Sequence, residues 1–265
     1  MVRILAIGDP HGVVPKGIPK EDIDLVLLTG DLGKADLARK RSFENKTREQ
    51  EGLPKLEETA EQVRAVHNEI HYSTVDLLRS LSKIAPVYSI QGNVGIPGSA
   101  HAREESEKYG LHLPSTYDAI KKMKHVYIVK NRLRVLDNLR FGFLEYFTDT
   151  SWIREFHPPK YAQKMKRAKK ETSKARRVLD SFGRNLDILV CHQPPFGILD
   201  KVNFPGVPKN WKGKHAGSSA VLDYIKKYQP SYVLCGHIHE GAGERSLGKT
   251  KIINLGMGKY TIIEM

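Results

Sequence analysis

The chain has 265 residues, of which 40% are hydrophobic and 28% charged, enough apolar side chains for a full core and too many for intrinsic disorder or a collagen-like repeat. No window reaches the roughly 18 consecutive apolar residues of a membrane span, so a transmembrane helix and a membrane partner are not expected. Against 30 acidic residues stand 43 basic ones, a net charge of +13. That balance suits an anionic partner, whether nucleic acid, a nucleotide or another phosphate ester, and equally suits a solvated basic surface.

The first apolar run is Val2–Gly8. It is short and Asp9 follows it directly, which is the pattern of a strand and not of a secretory leader. Asp24–Gly30 is a second run, ending at Gly30-Asp31. Lys34 to about Ile84 reads as a helical insertion that caps the site, within a single domain spanning 1–265. Inside it, Leu56–Ile84 carries Val63, Val66, Ile70, Leu77, Leu78 and Leu81 at helical spacing, and Pro86 closes it. Pro86–Gly92 is a third strand, ending at Gly92-Asn93.

Farther on, His125–Val129, Leu133–Asp137 and Arg140–Tyr146 read as short strands of a meander. Pro159–Phe182 is a helix loaded with Lys and Arg from Lys160 to Arg177, either a backbone-reading patch for nucleic acid or a solvated helix. Leu186–His192 and Ser231–Gly236 are the fourth and fifth buried runs. Gly217–Tyr228 is a helix opened by Ser218 and Ser219. Its start is either a plain N-cap or an anion site using Gly217 and Ser218, because free backbone N–H groups and the helix dipole attract phosphate. Thr250–Leu255 and Lys259–Glu264 read as a closing hairpin around Gly256-Met257-Gly258. Cys191 and Cys235 read as small buried strand residues. Two cysteines make no disulfide framework, so a reducing, cytoplasmic setting is expected.

Each of the five near-continuous apolar runs stops at a polar cluster, and open α/β sheets place their sites at the carboxyl ends of such strands. Collected from those ends are Asp9, His11, Asp31, Asn93, His192, His237 and His239. A mixed nitrogen and oxygen set suits divalent Mn, Fe, Zn or Ni better than Ca, with Mn expected first. Seven ligands exceed one ion and match two ions sharing a carboxylate.

In order and spacing, Asp9-Pro10-His11, Gly30-Asp31, Gly92-Asn93, His192 and Gly236-His237-Ile238-His239 resemble the signature of the calcineurin-like metallophosphoesterases. The resemblance covers residue 2 to about 258. It implies an α/β fold, a four-layer α/β/β/α sandwich of two mixed sheets flanked by helices. It also implies that Asp9, His11 and His239 bind one ion, that Asn93, His192 and His237 bind the other, and that Asp31 bridges them. Asp31, Asn93 and His192 are the catalytic candidates.

The implied reaction is hydrolysis of a phosphate ester, a diester above all, by a hydroxide held between two metal ions. A small phosphate ester or nucleotide is the expected substrate. A nuclease acting on DNA or RNA, and a catalytically weak metal-binding scaffold in a protein assembly, are the alternatives. In one place the chain departs from the pattern. The family's usual His after the Asn is Val94 here, which cannot donate a proton. His67, His71, His101 and His157 are the candidate substitutes.

Overall fold

The computed structural model describes residues 1–204, 207 and 209–265, without the side chain of Gln50. The chain begins β1 (Arg3–Ile7), β2 (Leu25–Leu28), α1 (Asp36–Gln50), α2 (Ala60–Leu81), β3 (Val87–Ser89), α3 (Ser99–Tyr109), α4 (Thr116–Lys121) and β4 (Val126–Ile128). It continues through β5 (Arg132–Leu136), β6 (Leu139–Leu144), α5 (Thr150–Phe156), α6 (Tyr161–Phe182), β7 (Ile188–Cys191), α7 (Ser219–Tyr228) and β8 (Tyr232–Cys235). A 3-10 turn at His239–Gly241 leads to β9 (Gly243–Leu247), β10 (Thr250–Asn254) and β11 (Tyr260–Glu264).

Two mixed sheets form. One has the order β11-β1-β2-β3-β4 and the other β5-β6-β7-β8-β10-β9. Within them β1, β2, β3 and β4 run parallel, as do β6, β7, β8 and β10, and β11, β5 and β9 are antiparallel edge strands.

Side-chain alternation explains the continuous apolar runs. Along β1 and β2, Ile4, Ala6, Leu25 and Leu27 point to a core between the sheets, which they share with Phe141, Phe143, Ile188, Val190 and Leu234. The alternate residues Leu5, Ile7, Val26 and Leu28 point the other way, onto Leu77, Leu78 and Leu81 of α2. In the second sheet, Leu189, Cys191, Val233 and Cys235 turn outward onto α6 and α7. Both faces of each central strand are therefore buried, and the layers run helix, sheet, sheet, helix as expected.

Helix boundaries follow local chemistry. Thr59 and Gln62 make a reciprocal capping box, each side chain bonded to the other's backbone N–H at 3.2 Å, and this starts α2 at Ala60 and not at Leu56. On α6 the buried stripe is Ala168, Thr172, Ala175, Leu179 and Phe182, at spacings of four and three. The lysines and arginines take up the rest of its circumference.

Two sequence expectations are corrected. The meander does not form, because β4 joins the first sheet beside β3 while β5 and β6 make a hairpin in the second. Nor do residues 250–264 fold as a hairpin. β10 belongs to the second sheet and β11 to the first, so the glycine turn at 256–258 carries the chain from one sheet to the other. The hairpin partner of β10 is β9, whose Gly-Glu-Arg-Ser-Leu sequence has no apolar alternation and is largely exposed. No helix among the described residues is long and apolar enough to cross a membrane.

Candidate metal centre

Parallel strands in two facing sheets end at one edge of the sandwich, and that edge gathers the seven polar residues. Asp9 follows β1, Asp31 follows β2 and Asn93 follows β3, while His192 follows β7 and His237 follows β8. Asp9, Asp31 and His192 are 0%, 3% and 1% exposed, and one donor atom from each lies within 4.8 Å of the others. His192 Nδ1 is 3.6 Å from Asp9 Oδ1 and its Nε2 is 3.7 Å from Asp31 Oδ1. His239 Nε2 approaches Asp9 Oδ2 at 3.3 Å. Asn93 Oδ1 sits between His192 Nε2, at 2.7 Å, and His237 Nδ1, at 2.8 Å. The rings of His11 and His239 meet edge to face at 5.3 Å.

The turns that aim these groups are conformationally costly. His11, Asp31 and His237 have φ of 43°, 43° and 64°, left-handed values that side-chain-bearing residues rarely adopt. They persist because the loops are tied down. His11 N–H donates to the Asp31 carbonyl at 3.0 Å, Val94 N–H donates to Asp31 Oδ1 at 2.7 Å, and His237 N–H donates to Asp9 Oδ2. Glycine is required where the motifs meet. A Cβ on Gly236 would lie 2.6 Å from Asp9 Cγ, and one on Gly92 would lie 2.6 Å from Asp31 N and 2.8 Å from His192 Cε1.

Electrostatics set the protonation preferences. Burial pushes the Asp9 carboxyl up, but the His192 charge and hydrogen bonds from His239 and the His237 backbone outweigh it and hold the pKa at about 2. Burial pushes His192 down, and the carboxylates of Asp31 and Asp9 more than reverse that, so its pKa is raised. His237 falls to about 3 through burial and the neighbouring His192 charge. His11 is lowered by burial, against the pull of Asp31 and Asp9.

A cation fits this set. His192 Nδ1–H donates to the Thr29 carbonyl at 2.9 Å, which leaves Nε2 to face the Asn93 oxygen and the Asp31 carboxylate, where in the neutral ring its lone pair is free to bind a cation. Buried His11 Nδ1 has no hydrogen-bond partner among the described residues. Two buried carboxylates, an amide oxygen and imidazole lone pairs thus converge with too few protons between them. Divalent ions that accept nitrogen and oxygen ligands satisfy such a set.

The structure treats the remaining expectations differently. Gly217 and Ser218 lie at the start of α7, and their polar groups are taken by the protein's own carboxylates. Gly217 N–H donates to Asp200 Oδ2 at 3.0 Å, and the Ser218 hydroxyl donates to Asp149 Oδ2 at 2.7 Å while it accepts from Val221 N–H. Ser218 is 0% exposed. Asp149 stands at this helix start where the second of the two readings placed a phosphate, and Ser218 is the N-cap of α7.

Of the candidate substitute acids, His67 Nε2 donates to the Pro114 carbonyl at 2.7 Å and His71 Nδ1 lies 3.0 Å from the Thr116 hydroxyl, both at the contact of α2 with α4. His101 faces Glu105 along α3, and His157 stacks on Tyr161. None of the four touches the seven ligand candidates in the contacts of the described residues. Cys191 and Cys235 are free and buried, and burial pushes both thiols up, so they are inert packing groups.

Three residues at the centre escaped the sequence reading. Thr29 donates its hydroxyl to Asp9 Oδ1 at 2.9 Å. It precedes Gly30-Asp31 directly, which is a signal that could have been followed. Tyr146 packs its ring 5.7 Å from His192 and 5.6 Å from His237, and nothing in the order of motifs marks it. Arg39 of α1 brings Nη2 to 3.3 Å from His11 Nε2, again with no motif to announce it.

The UPF0046 protein T07D4.2 of Caenorhabditis elegans is 34% identical over 86 residues, 31% of this chain and 20% of that protein. The human metallophosphoesterase domain-containing protein 1 is 39% identical over 70 residues, 26% of this chain and 19% of the relative. The matched stretch is thus about a fifth of the length of these curated relatives. A solved structure with 14% sequence identity superposes over 98% of this chain and 94% of its own, with a TM-score of 0.56, which speaks for the fold alone. The model of the calcineurin-like phosphoesterase family matches residues 2–241, from the strand before Asp9 through the turn after His239, and the chain belongs to that family.

Proposed function

We propose that this chain is a metal-dependent phosphodiesterase whose centre is dinuclear, with Asp9, His11 and His239 on one ion, Asn93, His192 and His237 on the other, and Asp31 between them. Manganese is the first choice of metal, with iron, zinc or nickel as substitutes. One observation carries the reading: acceptor lone pairs of Asp9, Asp31, Asn93 and His192 face one another in a buried cluster that only positive charge relieves. When bound, two such cations activate water and neutralise charge developing on a phosphoryl group.

The protein's own groups do the remaining work. Thr29 and the His237 backbone N–H fix the Asp9 carboxylate, and Val94 N–H fixes that of Asp31. Position 94 therefore keeps an orienting role through its backbone and has no side chain that donates a proton. A positioned general acid is worth about 10²–10⁴-fold. Its absence favours substrates whose leaving oxygen departs with little help. The phosphodiester is taken up at the open edge of the sandwich, and the buried thiols suit a reducing compartment such as the cytoplasm.

Calorimetric titration with Mn²⁺, followed by hydrolysis of bis(p-nitrophenyl) phosphate and p-nitrophenyl phosphate, tests this. The expected result is two equivalents bound and the diester turned over faster. A single equivalent, or faster cleavage of the monoester, overturns it.

A further inference from the structure

One face of α1 is turned to the rim of the metal centre. Arg39 reaches His11 at 3.3 Å. Four residues on, the Phe43 ring meets Phe204 at 6.1 Å, and seven residues on, Lys46 Nζ lies 5.2 Å from the Phe43 ring centre and 5.6 Å from that of Trp211. Positions 39, 43 and 46 share a helix face. Phe204 and Trp211 pack against the cluster of Phe156, Val202, Ala216 and Ile238, the last of which sits between His237 and His239, and the Asn203 and Phe204 N–H groups donate to Glu240 at 2.6 and 3.0 Å. The aromatic wall is thus fastened to the loop that carries two ligand candidates. From α6, Lys164 comes alongside, 3.9 Å from Glu49, and its charge acts on Lys46.

Two other cations of α1 have oxygen partners of a kind that Lys46 lacks among the described residues. Arg41 pairs with Glu58 at 2.9 Å and Arg48 donates to the Pro54 carbonyl at 2.7 Å. Among the described residues no carboxylate lies within ion-pair distance of Lys46. Burial lowers the Lys46 pKa and the Lys164 charge lowers it further, and an anion beside the two ammonium groups would offset that repulsion. Seven residues of helix separate Arg39 from Lys46 by about 10 Å, farther than one phosphate extends.

Resting on the phosphodiesterase reading, we propose that Arg39, Phe43 and Lys46 of α1, joined by Lys164 and Trp211, form the binding wall for a single-stranded nucleic acid. Arg39 takes the phosphate being cleaved, Lys46 and Lys164 hold a neighbouring backbone phosphate, and the rings of Phe43 and Trp211 offer a stacking surface to a base. In the reaction the oxygen of water bonds to phosphorus, the bond from phosphorus to one ester oxygen breaks, and a proton from the water ends on the departing oxygen. A mononucleotide leaves the Lys46 end of the wall unused. A strand of repeating phosphates spans it.

The test separates binding from chemistry. Fluorescence anisotropy with a labelled single-stranded DNA 12-mer is measured in EDTA between 50 and 200 mM salt. Each phosphate contact to a single strand contributes about −0.7 to the slope of log affinity against log salt. Lys46→Ala and Lys164→Ala are each expected to weaken binding about three- to tenfold and to flatten that slope by about 0.7. Phe43→Ala is expected to weaken it about tenfold with the slope unchanged. Lys227→Ala, whose ammonium pairs with Asp180 on the outer helices, is the control expected to change neither.

With Mn²⁺, Arg39→Ala is expected to lower kcat/KM at least tenfold on both bis(p-nitrophenyl) phosphate and the 12-mer, with partial rescue by Arg39→Lys. Wild-type protein that cleaves the small diester but binds the 12-mer no better than Lys46→Ala overturns this inference and leaves the phosphodiesterase reading standing. Wild-type protein that binds the strand in EDTA yet cleaves no diester overturns the reading of the centre and not the wall.

Discussion

Asp149 offers a direct measure of how the edge loops are held. Its carboxylate is 0% exposed and accepts six hydrogen bonds. Oδ1 accepts from Ser151 N–H at 2.9 Å, the Ser151 hydroxyl at 3.0 Å, the Thr150 hydroxyl at 3.3 Å and the Ser219 hydroxyl at 2.8 Å. Oδ2 accepts from the Ser218 hydroxyl at 2.7 Å and Ala220 N–H at 3.2 Å. One side chain therefore caps α5 and supplies the negative charge at the start of α7. Removing an N-cap costs about 1 kcal/mol, and a hydrogen bond to a buried charge contributes about 1.5–3 kcal/mol.

Some donors find water once the carboxylate is gone, so the terms do not add. Asp149→Ala is expected to destabilise the protein by about 4 kcal/mol, or about 10 °C in Tm. Urea unfolding followed by circular dichroism measures it. The effect also has a pH signature. Burial pushes the Asp149 carboxyl up, but the bonds from Ser151, Ser218, Ala220 and Ser219 outweigh that, and its pKa in the folded protein is lowered. Its contribution is therefore complete above the unfolded value near 4 and is lost as pH falls through the lower folded value. The wild-type and variant stability curves should lie apart and parallel at pH 6–8 and converge at low pH. A loss under about 1 kcal/mol at neutral pH, or a gap that does not close in acid, refutes the reasoning.

Other outcomes follow from the same geometry. Gly236→Ala puts a Cβ against the Asp9 carboxylate; Mn²⁺ binding by calorimetry should drop at least 100-fold while the far-ultraviolet spectrum is kept. Thr29→Val removes the hydroxyl that orients Asp9, and metal affinity should fall about 10–100-fold, the usual cost of losing a ligand's own support. Val94→His returns an imidazole to the position whose backbone already bonds Asp31. It should raise kcat on a diester with an unactivated leaving group about 100-fold and change the p-nitrophenyl diester little; equal effects on both would assign the gain to something other than proton donation.

The candidate centre was largely legible in the sequence, for a reason visible in β1, β2, β7 and β8. Strands buried on both faces must be apolar throughout, so the first polar residue after each run marks the point where the chain leaves the core. Asp9, Asp31, His192 and His237 all stand at such points. Glycine is dictated just before three of them by the closeness of the neighbouring loops, as at Gly30 and Gly236. The start of α2 was not: the reading from Leu56 sets it four residues early, because the Thr59–Gln62 capping pair that fixes it at Ala60 was not followed.

Elsewhere local sequence does not carry the decision. The run His125–Val129 could pair with either neighbour in the chain or with β3. It pairs with β3 because Val87, Tyr88 and Ser89 present a free parallel edge, a fact of the assembled sheet. Thr250–Leu255 and Lys259–Glu264 look like hairpin arms, but their partners β8 and β1 are set by which sheet has an open place. Whether Ser218 meets a phosphate or a carboxylate depends on Asp149, 69 positions away. Arg39 meets His11, 28 positions away, only once α1 has folded back on the turn after β1. The apolar runs and the ends of buried strands are properties of a segment, so the sequence alone marked the buried strands and the seven candidate ligands, and the four layers came from the resemblance that those motifs carry. Strand partners, the occupant of a helix start and the charged rim depend on contacts between distant segments, and those were decided by the tertiary structure.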